Sequence, residues 1–122
     1  MTLDDVIAYC MAKPGAEEAY PWGDGELVCK VGGKAFAFIG LGTPKVGLKC
    51  GPTAEAGDEW RDRYPAITAS THIGRYGWIS VPLDGTVPAG EVRELLDMSY
   101  DAVVARLPKA RRPGSTAERR GR

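Results

Sequence analysis

Residues 27–39, Leu-Val-Cys-Lys-Val-Gly-Gly-Lys-Ala-Phe-Ala-Phe-Ile, decide the fold of this chain. Two runs rich in β-branched and aromatic residues flank Gly32-Gly33, and two consecutive glycines tolerate the positive φ angles of a two-residue hairpin turn. The segment therefore predicts an antiparallel hairpin. The predicted register places Val31 opposite Lys34, Cys29 opposite Phe36 and Leu27 opposite Phe38.

Side chains alternate between two faces along a strand, so the hairpin is expected to have one buried face and one wet face. Residues 45–50 and 78–83 show the same alternation of apolar with polar or small side chains. The predicted inward set is Leu27, Cys29, Val31, Phe36, Phe38, Val46, Leu48, Cys50, Ile79, Val81 and Leu83. The predicted outward set is Val28, Lys30, Ala35, Ala37, Lys45, Gly47, Lys49, Trp78 and Ser80.

Three helices are predicted around these strands. The first follows a Thr2 cap, has apolar residues at helical spacing and ends at residues 13–15. The second covers residues 51–64, since the proline at its start suits a first helical turn. The third covers residues 88 to about 107. This order of elements predicts an α+β fold, in which an antiparallel sheet has helices packed on one face and leaves the other open to water.

Charge is unevenly distributed along the 122 residues. Residues 1–108 hold 10 basic and 15 acidic side chains, whereas residues 109–122 hold 6 basic and one acidic. The final segment has almost no apolar residues, so we expect a disordered basic tail beyond a single domain of residues 1–108. Such a tail is typical both of weak nucleic-acid contact and of simple solubilisation.

The sequence also predicts where the protein works. No apolar run approaches the roughly 18 residues that a membrane span needs. The amino terminus, Met-Thr-Leu-Asp-Asp, lacks the basic start and apolar stretch of a secretory signal. We therefore expect a cytoplasmic protein with no membrane contact.

Several short motifs occur in a characteristic order. The motifs are residues 11–17, 31–37, 48–52 and 64–67, then His72, Trp78, residues 83–85, 87–88 and 99–100. In that order they resemble the MmcQ/YjbR family, small bacterial proteins commonly described as predicted DNA-binding. The resemblance covers residues 1 to about 108, and it implies a compact double-wing fold similar to the frataxin-like packing of two helices on an antiparallel sheet.

The chain departs from the family pattern in one segment. Members often carry His-x-Asn-Lys-x-His-Trp where this chain has His-Ile-Gly-Arg-Tyr-Gly-Trp at residues 72–78. Arg75 retains the positive charge of the lysine, whereas Gly74 and Gly77 replace the asparagine and the second histidine. Any chemistry that needs those two side chains is absent here.

Catalytic and metal-binding patterns are weak. His72 is the single histidine, and no Gly-x-Ser-x-Gly elbow or P-loop accompanies it. The three cysteines are isolated in apolar contexts and form no Cys-x-x-Cys pair, so neither a disulfide framework nor a zinc site is expected. The sequence therefore predicts a protein that is not an enzyme and needs no metal or cofactor. His72 is expected to hold its loop by hydrogen-bonding a backbone carbonyl.

Binding is the function that these residues favour. Lysines and Trp78 on an open sheet face are suited to phosphates and a stacked base, and Arg75 to a forked phosphate contact. We expect a monomer that binds DNA weakly and without sequence specificity. Two alternatives stay open: a protein-interaction module, and a small-anion site at the Gly51-Pro52-Thr53 helix start beside Lys49. The predicted nucleic-acid-binding residues are Lys30, Lys45, Lys49, Arg75, Trp78, Arg111 and Arg112.

Overall fold

A computed structural model describes residues 1–21, 23–71 and 73–113 of the chain. Within these ranges six strands and three α-helices alternate, with three short 3₁₀ turns at Ala54–Gly57, Gly74–Tyr76 and Lys109–Arg111. The elements in chain order are α1 (Leu3–Met11), β1 (Glu17–Ala19), β2 (Glu26–Val31), β3 (Lys34–Gly40), β4 (Lys45–Lys49), α2 (Asp58–Arg63), β5 (Thr68–Ala69), β6 (Trp78–Pro82) and α3 (Ala89–Ala105).

The strands form one antiparallel sheet in the order β1-β2-β3-β4-β6-β5. Buried residues of all three helices belong to the same apolar cluster as the inward residues of β2, β3, β4 and β6. The predicted α+β fold with helices packed on one sheet face is therefore confirmed. The two edge strands, β1 and β5, escaped sequence analysis because two or three residues are too few to show an alternating pattern.

Helix α1 begins where its cap predicts. The Thr2 hydroxyl accepts a hydrogen bond from the Asp5 backbone N–H at 3.1 Å, and the Asp5 carboxylate accepts one from the Thr2 N–H at 2.9 Å. This reciprocal capping box satisfies two backbone donors at the helix start. Val6 and Cys10, one helical turn apart, are buried against the sheet.

The second helix differs from its prediction. Residues after Pro52 form bends and then the 3₁₀ turn Ala54–Gly57, and regular α-helix begins only at Asp58. Gly57 is buried, and a Cβ there would lie 2.6 Å from the Ile79 side chain, so close packing on the sheet requires a glycine that disfavours helix. The small-anion alternative loses its helix terminus, because α2 starts about two turns later than expected.

The central hairpin contains a β-bulge that shifts the predicted register. Val31 faces Lys34 as expected, but the register shifts between Cys29 and Lys30, so that Cys29 faces Ala37 and Leu27 faces Ile39. Phe36 is the extra residue on β3, and both Phe36 and Ala37 point into the core. Two assignments were therefore wrong: Ala37 is buried in the core, and Phe38 lies on the opposite face.

Ser99 of α3 completes the sheet where the bulge interrupts it. Pairing between β3 and β4 ends at Ala37 and Leu48. Immediately beyond, the Ser99 hydroxyl donates to the Phe36 carbonyl at 2.6 Å and accepts from the Lys49 backbone N–H at 2.8 Å. Ser99 is fully buried, and both backbone groups depend on it for a partner.

The C-terminal prediction requires a correction for residues 109–113. Lys109–Arg111 form a 3₁₀ turn rather than disordered chain. Arg112 closes the end of α3 by donating to the backbone carbonyls of Leu107 and Ala105, at 2.9 and 3.2 Å. The rest of the predicted tail, residues 114–122, lies outside the described residues. Across the described ranges no helix is both long and apolar enough to cross a membrane.

Candidate nucleic-acid interface

The sheet face opposite the helices carries the predicted binding residues. Its members are cross-strand neighbours of one another, and none belongs to the apolar cluster beneath the helices. The face is less open than predicted, since Val28 is 1% and Trp78 9% exposed. We call it the outer face, defined by Val28, Lys30, Ala35, Phe38, Lys45, Gly47, Lys49, Trp78 and Ser80.

Trp78 is a packing residue. Its ring meets the Phe38 ring edge-on, with centroids 5.1 Å apart. On another side the Lys49 ammonium lies 5.8 Å from the indole centroid. With 9% of the residue exposed, little indole surface remains for a base to stack on. The stacking role expected from the sequence thus has little support in the geometry, although Trp78 does lie beside Lys49 as predicted.

Three cations converge at the edge where the outer face meets the carboxyl end of α3. Lys34 at the start of β3, Lys49 at the end of β4 and Arg106 just after α3 line a cleft of about 500 Å³. Lys34 and Arg106 were missed because each belongs to a different element, and a cation at a helix C-terminus is expected for the helix dipole alone. We call this the basic cleft, lined by Lys34, Ala35, Lys49, Trp78, Val103, Arg106 and Leu107.

Lys49 is held at the base of this cleft. Its ammonium donates a hydrogen bond to the Tyr76 carbonyl oxygen at 2.6 Å, which fixes the long side chain. Partial burial lowers the pKa of the Lys49 ammonium, and the positive charge of Arg106 lowers it further. An anion between the two cations would relieve both effects, because it restores the lost solvation and screens the repulsion.

The cations of the basic cleft have no acidic partner within the described part of the chain. Ion pairs there involve Lys13 with Asp97, Arg61 with Asp58, and Arg63 with both Glu59 and Glu91. None includes Lys34, Lys49 or Arg106. Their charge is therefore available to an external anion.

The turn after α3 adds charge at the same end of the molecule. The Arg111 carbonyl oxygen lies 3.0 Å from the position that a Cβ on Gly32 would occupy, so the turn packs against the β2–β3 hairpin. The side chains of Lys109 and Arg111 are exposed there. Arg112 is different, since carbonyls occupy its guanidinium. Of the two tail arginines predicted to bind, Arg111 is thus the better placed.

The remaining predicted residues lie outside the basic cleft. Lys30 pairs across the sheet with Ala35 on one side and with acidic Glu17 on the other. Lys45 lies at the opposite end of β4 from Lys49, about 13 Å away at strand spacing. Arg75 is exposed, with its guanidinium carbon 4.9 Å from the centroid of the Tyr76 ring.

The loop before β6 explains one departure from the family pattern. Gly77 has φ 88°, and a Cβ there would lie 2.0 Å from the Gly51 carbonyl oxygen. The Gly77 carbonyl in turn accepts a hydrogen bond from the Cys50 N–H at 2.8 Å. A histidine at this position would not fit the present backbone. His72 lies outside the described residues, so its predicted loop-holding role stays a prediction.

The three thiols are buried or half-buried. Cys10 and Cys29 are buried together between α1 and β2, and their contact with each other, aided by burial, raises the pKa of Cys10. Burial raises the pKa of the Cys50 thiol to about 11, which leaves it protonated at neutral pH. Over the described ranges no three His, Cys, Asp or Glu side chains group as a metal site would require.

Known sequences match this chain over most of its length. A sequence model of the YjbR family matches residues 11–102. The Escherichia coli K12 protein described as "Uncharacterized protein YjbR" is 34% identical over 116 residues, covering 92% of this chain and 95% of that protein. "Uncharacterized protein YbdF" of Escherichia coli O157:H7 is 31% identical over 98 residues, 79% of either chain.

Solved structures share the fold. The crystal structure of Deinococcus radiodurans protein DR2400, with a domain named DUF419, has a TM-score of 0.80 and 35% identity, covering 91% of this chain and 85% of that one. A Pseudomonas syringae protein has a TM-score of 0.66 and 23% identity, covering 81% of this chain and 96% of its own. At that identity the second likeness concerns the fold alone.

Proposed function

This chain belongs to the YjbR family, and from its own surface we propose that it is a non-catalytic protein that binds the phosphate backbone of DNA weakly and without sequence specificity. One observation carries the proposal: Lys34, Lys49 and Arg106 converge on the basic cleft with no carboxylate partner among the described residues. Cations held without partners are the usual basis of sequence-independent backbone binding.

The charge around the cleft favours a long anion over a single phosphate. Lys109 and Arg111 are exposed in the turn that packs against Gly32 of the β2–β3 hairpin, and the sequence continues with three further arginines at 119, 120 and 122. Successive cations along a surface match the regular spacing of backbone phosphates. Residues 1–108 hold more acidic than basic side chains, so we expect attraction for DNA to be strongest at this end.

Fluorescence anisotropy with the full chain tests the proposal. The probe is a labelled single strand of about 20 nucleotides, longer than the site size of a small fold, compared with a second strand of unrelated sequence. We expect both strands to bind equally at about 50 mM salt, and affinity to fall steeply as salt rises. Absence of binding at that salt would contradict the proposal.

A pair of double variants locates the interface. Lys34→Gln with Arg106→Gln removes two cations from the basic cleft, and the slope of log affinity against log salt should decrease by about 1.4, since each single-strand contact contributes about 0.7. Lys30→Gln with Lys45→Gln removes the same charge from the outer face beyond the cleft and serves as the matched control. Equal losses in the two variants would mean that net charge, rather than the cleft, governs binding.

A further inference from the structure

A second concavity lies on the outer face, away from the basic cleft. Its volume is about 490 Å³, within the range of roughly 300–1,000 Å³ that is common for small-molecule sites. We call it the hydroxyl groove. It runs between Glu26 and Lys45 at one end and residues 68–71 at the other, across Gly47 and Ser80.

Gly47 creates the depression. It lies in a cross-strand row between Phe38 of β3 and Ser80 of β6, so a missing side chain interrupts the row. A Cβ on Gly47 would meet the Phe38 Cβ at 3.6 Å and the Ile79 carbonyl oxygen at 3.8 Å, which are ordinary contacts. Packing therefore does not demand glycine here, and no side chain of the described residues fills the space above it.

Two opposite charges face each other across one end of the groove. Lys45 and Glu26 flank Gly40 in the sheet register. A Cβ on Gly40 would lie 3.1 Å from Lys45 Cγ and 3.5 Å from Lys45 Cε, so the lysine stem extends over β3 towards the strand of Glu26. The two charges nevertheless form no ion pair with each other or with any other described residue.

The other end of the groove provides hydroxyl groups. Thr68, Ser70, Thr71 and Ser80 line it. None of these four side chains hydrogen-bonds to another residue in the described part of the chain; the bonds recorded for Ser70 and Thr71 involve their backbone atoms. Each hydroxyl can both donate and accept, so this end suits a polar group of either kind.

We infer that the hydroxyl groove binds a small zwitterion, a free amino acid or a dipeptide. The ligand ammonium lies against Glu26 and its carboxylate against Lys45, which gives each charge a partner that no described residue supplies. The ligand body lies over Gly47, and its far end contacts the hydroxyls of Thr68, Ser70 and Thr71. This site is independent of the proposed DNA binding, because it shares no residue with the basic cleft.

Backbone amide NMR of the full chain tests the inference, with the common L-amino acids and a set of alanine-containing dipeptides added one at a time at millimolar concentration. We expect shift changes in residues 26, 45, 47, 68–71 and 80 with at least one zwitterion. The amide of that ligand, which lacks the carboxylate, and its N-acetyl form, which lacks the ammonium, should each bind at least tenfold more weakly. Comparison of the free amino acids with the dipeptides shows which of these two ligand classes the groove binds.

Paired variants distinguish a specific binding site from non-specific electrostatic attraction. Glu26→Gln and Lys45→Gln should each weaken binding tenfold or more, and Gly47→Val should abolish it by filling the floor. Glu17→Gln with Lys30→Gln alters a cross-strand pair of opposite charges outside the groove and should leave binding unchanged. The inference is overturned if no zwitterion shifts these residues, or if binding survives in Glu26→Gln with Lys45→Gln. DNA affinity of the same variants tells failure here from failure of the basic cleft.

Discussion

The helix side of the sheet and its outer face differ in how their polar groups are paired. Beneath the helices Ser99 is the single buried polar residue of the described chain, and its hydroxyl both donates and accepts. On the outer face and at its edge, the cations of the basic cleft have no carboxylate partner and the hydroxyls of the groove have no hydrogen-bond partner among the described residues, although Lys49 lies beside the Trp78 ring. One face therefore provides stability, and the other retains polar groups that a ligand can use.

Trp78 is an exception to this difference between the two faces, because it lies on the outer face but is buried. Trp78→Ala should lower the free energy of unfolding by about 3–5 kcal/mol, as expected for a large buried aromatic. Among molecules that remain folded, DNA affinity should change less than threefold. Urea unfolding and anisotropy measure the two effects. Tyr76→Ala, at a neighbouring position 49% exposed, should change stability by less than about 0.5 kcal/mol.

Replacing Ser99 tests the contribution of paired polar groups on the helix side of the sheet. Ser99→Ala leaves the Phe36 carbonyl and the Lys49 N–H unpaired, and should destabilise the protein by about 2–3 kcal/mol. Ser80→Ala removes a hydroxyl from the outer face and should cost less than about 0.5 kcal/mol. Chemical denaturation of both variants makes the comparison. Equal costs would show that the two faces do not differ in this respect.

The ion pair of Lys13 and Asp97 makes a smaller, pH-dependent contribution to the free energy of unfolding. Burial opposes charge on both groups, but the contact between them raises the pKa of Lys13, and hydrogen bonds from Lys13 and Tyr9 lower that of Asp97. The Asp97 contribution is therefore present above the unfolded-state pKa, near 3.9, and is lost as pH falls through the lower folded value.

Asp97→Asn should therefore cost about 0.5 kcal/mol at pH 7, a small value because the Asp97 side chain is 43% exposed. The difference from the unsubstituted protein should disappear in acid. Unfolding midpoints measured between neutral and acidic pH provide the check. A cost that persists unchanged in acid would assign the effect to the amide rather than to the charge.

The smallest effect that we expect is a change in the pKa of Lys49. Burial is the main cause of its lowered pKa, and Arg106 adds to it. Arg106→Gln should therefore raise the pKa of Lys49 while leaving it below the ordinary lysine value. Side-chain NMR of the Lys49 ammonium across alkaline pH measures the change. No rise would mean that the two cations are too far apart to share an anion.

Alternation and turn chemistry predicted most of the fold, because they depend on neighbours in the sequence. The bulge at Phe36 was not predictable in this way, since alternation does not mark where an extra residue is inserted, and Ser99, which donates to the Phe36 carbonyl, comes from a distant helix. The error reversed the faces of Ala37 and Phe38. The site was predicted in part: Lys49 was found by alternation, but Lys34 and Arg106 join it only through the packing of α3 on the sheet.

Ser99 also has a consequence for the order in which the protein folds. Strands β3 and β4 are neighbours in the chain, yet the end of their ladder is completed by a residue 50 positions away from Lys49. Closing so long a loop costs entropy that local pairing does not repay. We therefore expect the β3–β4 hairpin to form early, and its end at Phe36 and Lys49 to become ordered only when α3 docks. Lys49, and with it the basic cleft, is then among the last parts of the protein to reach its final geometry.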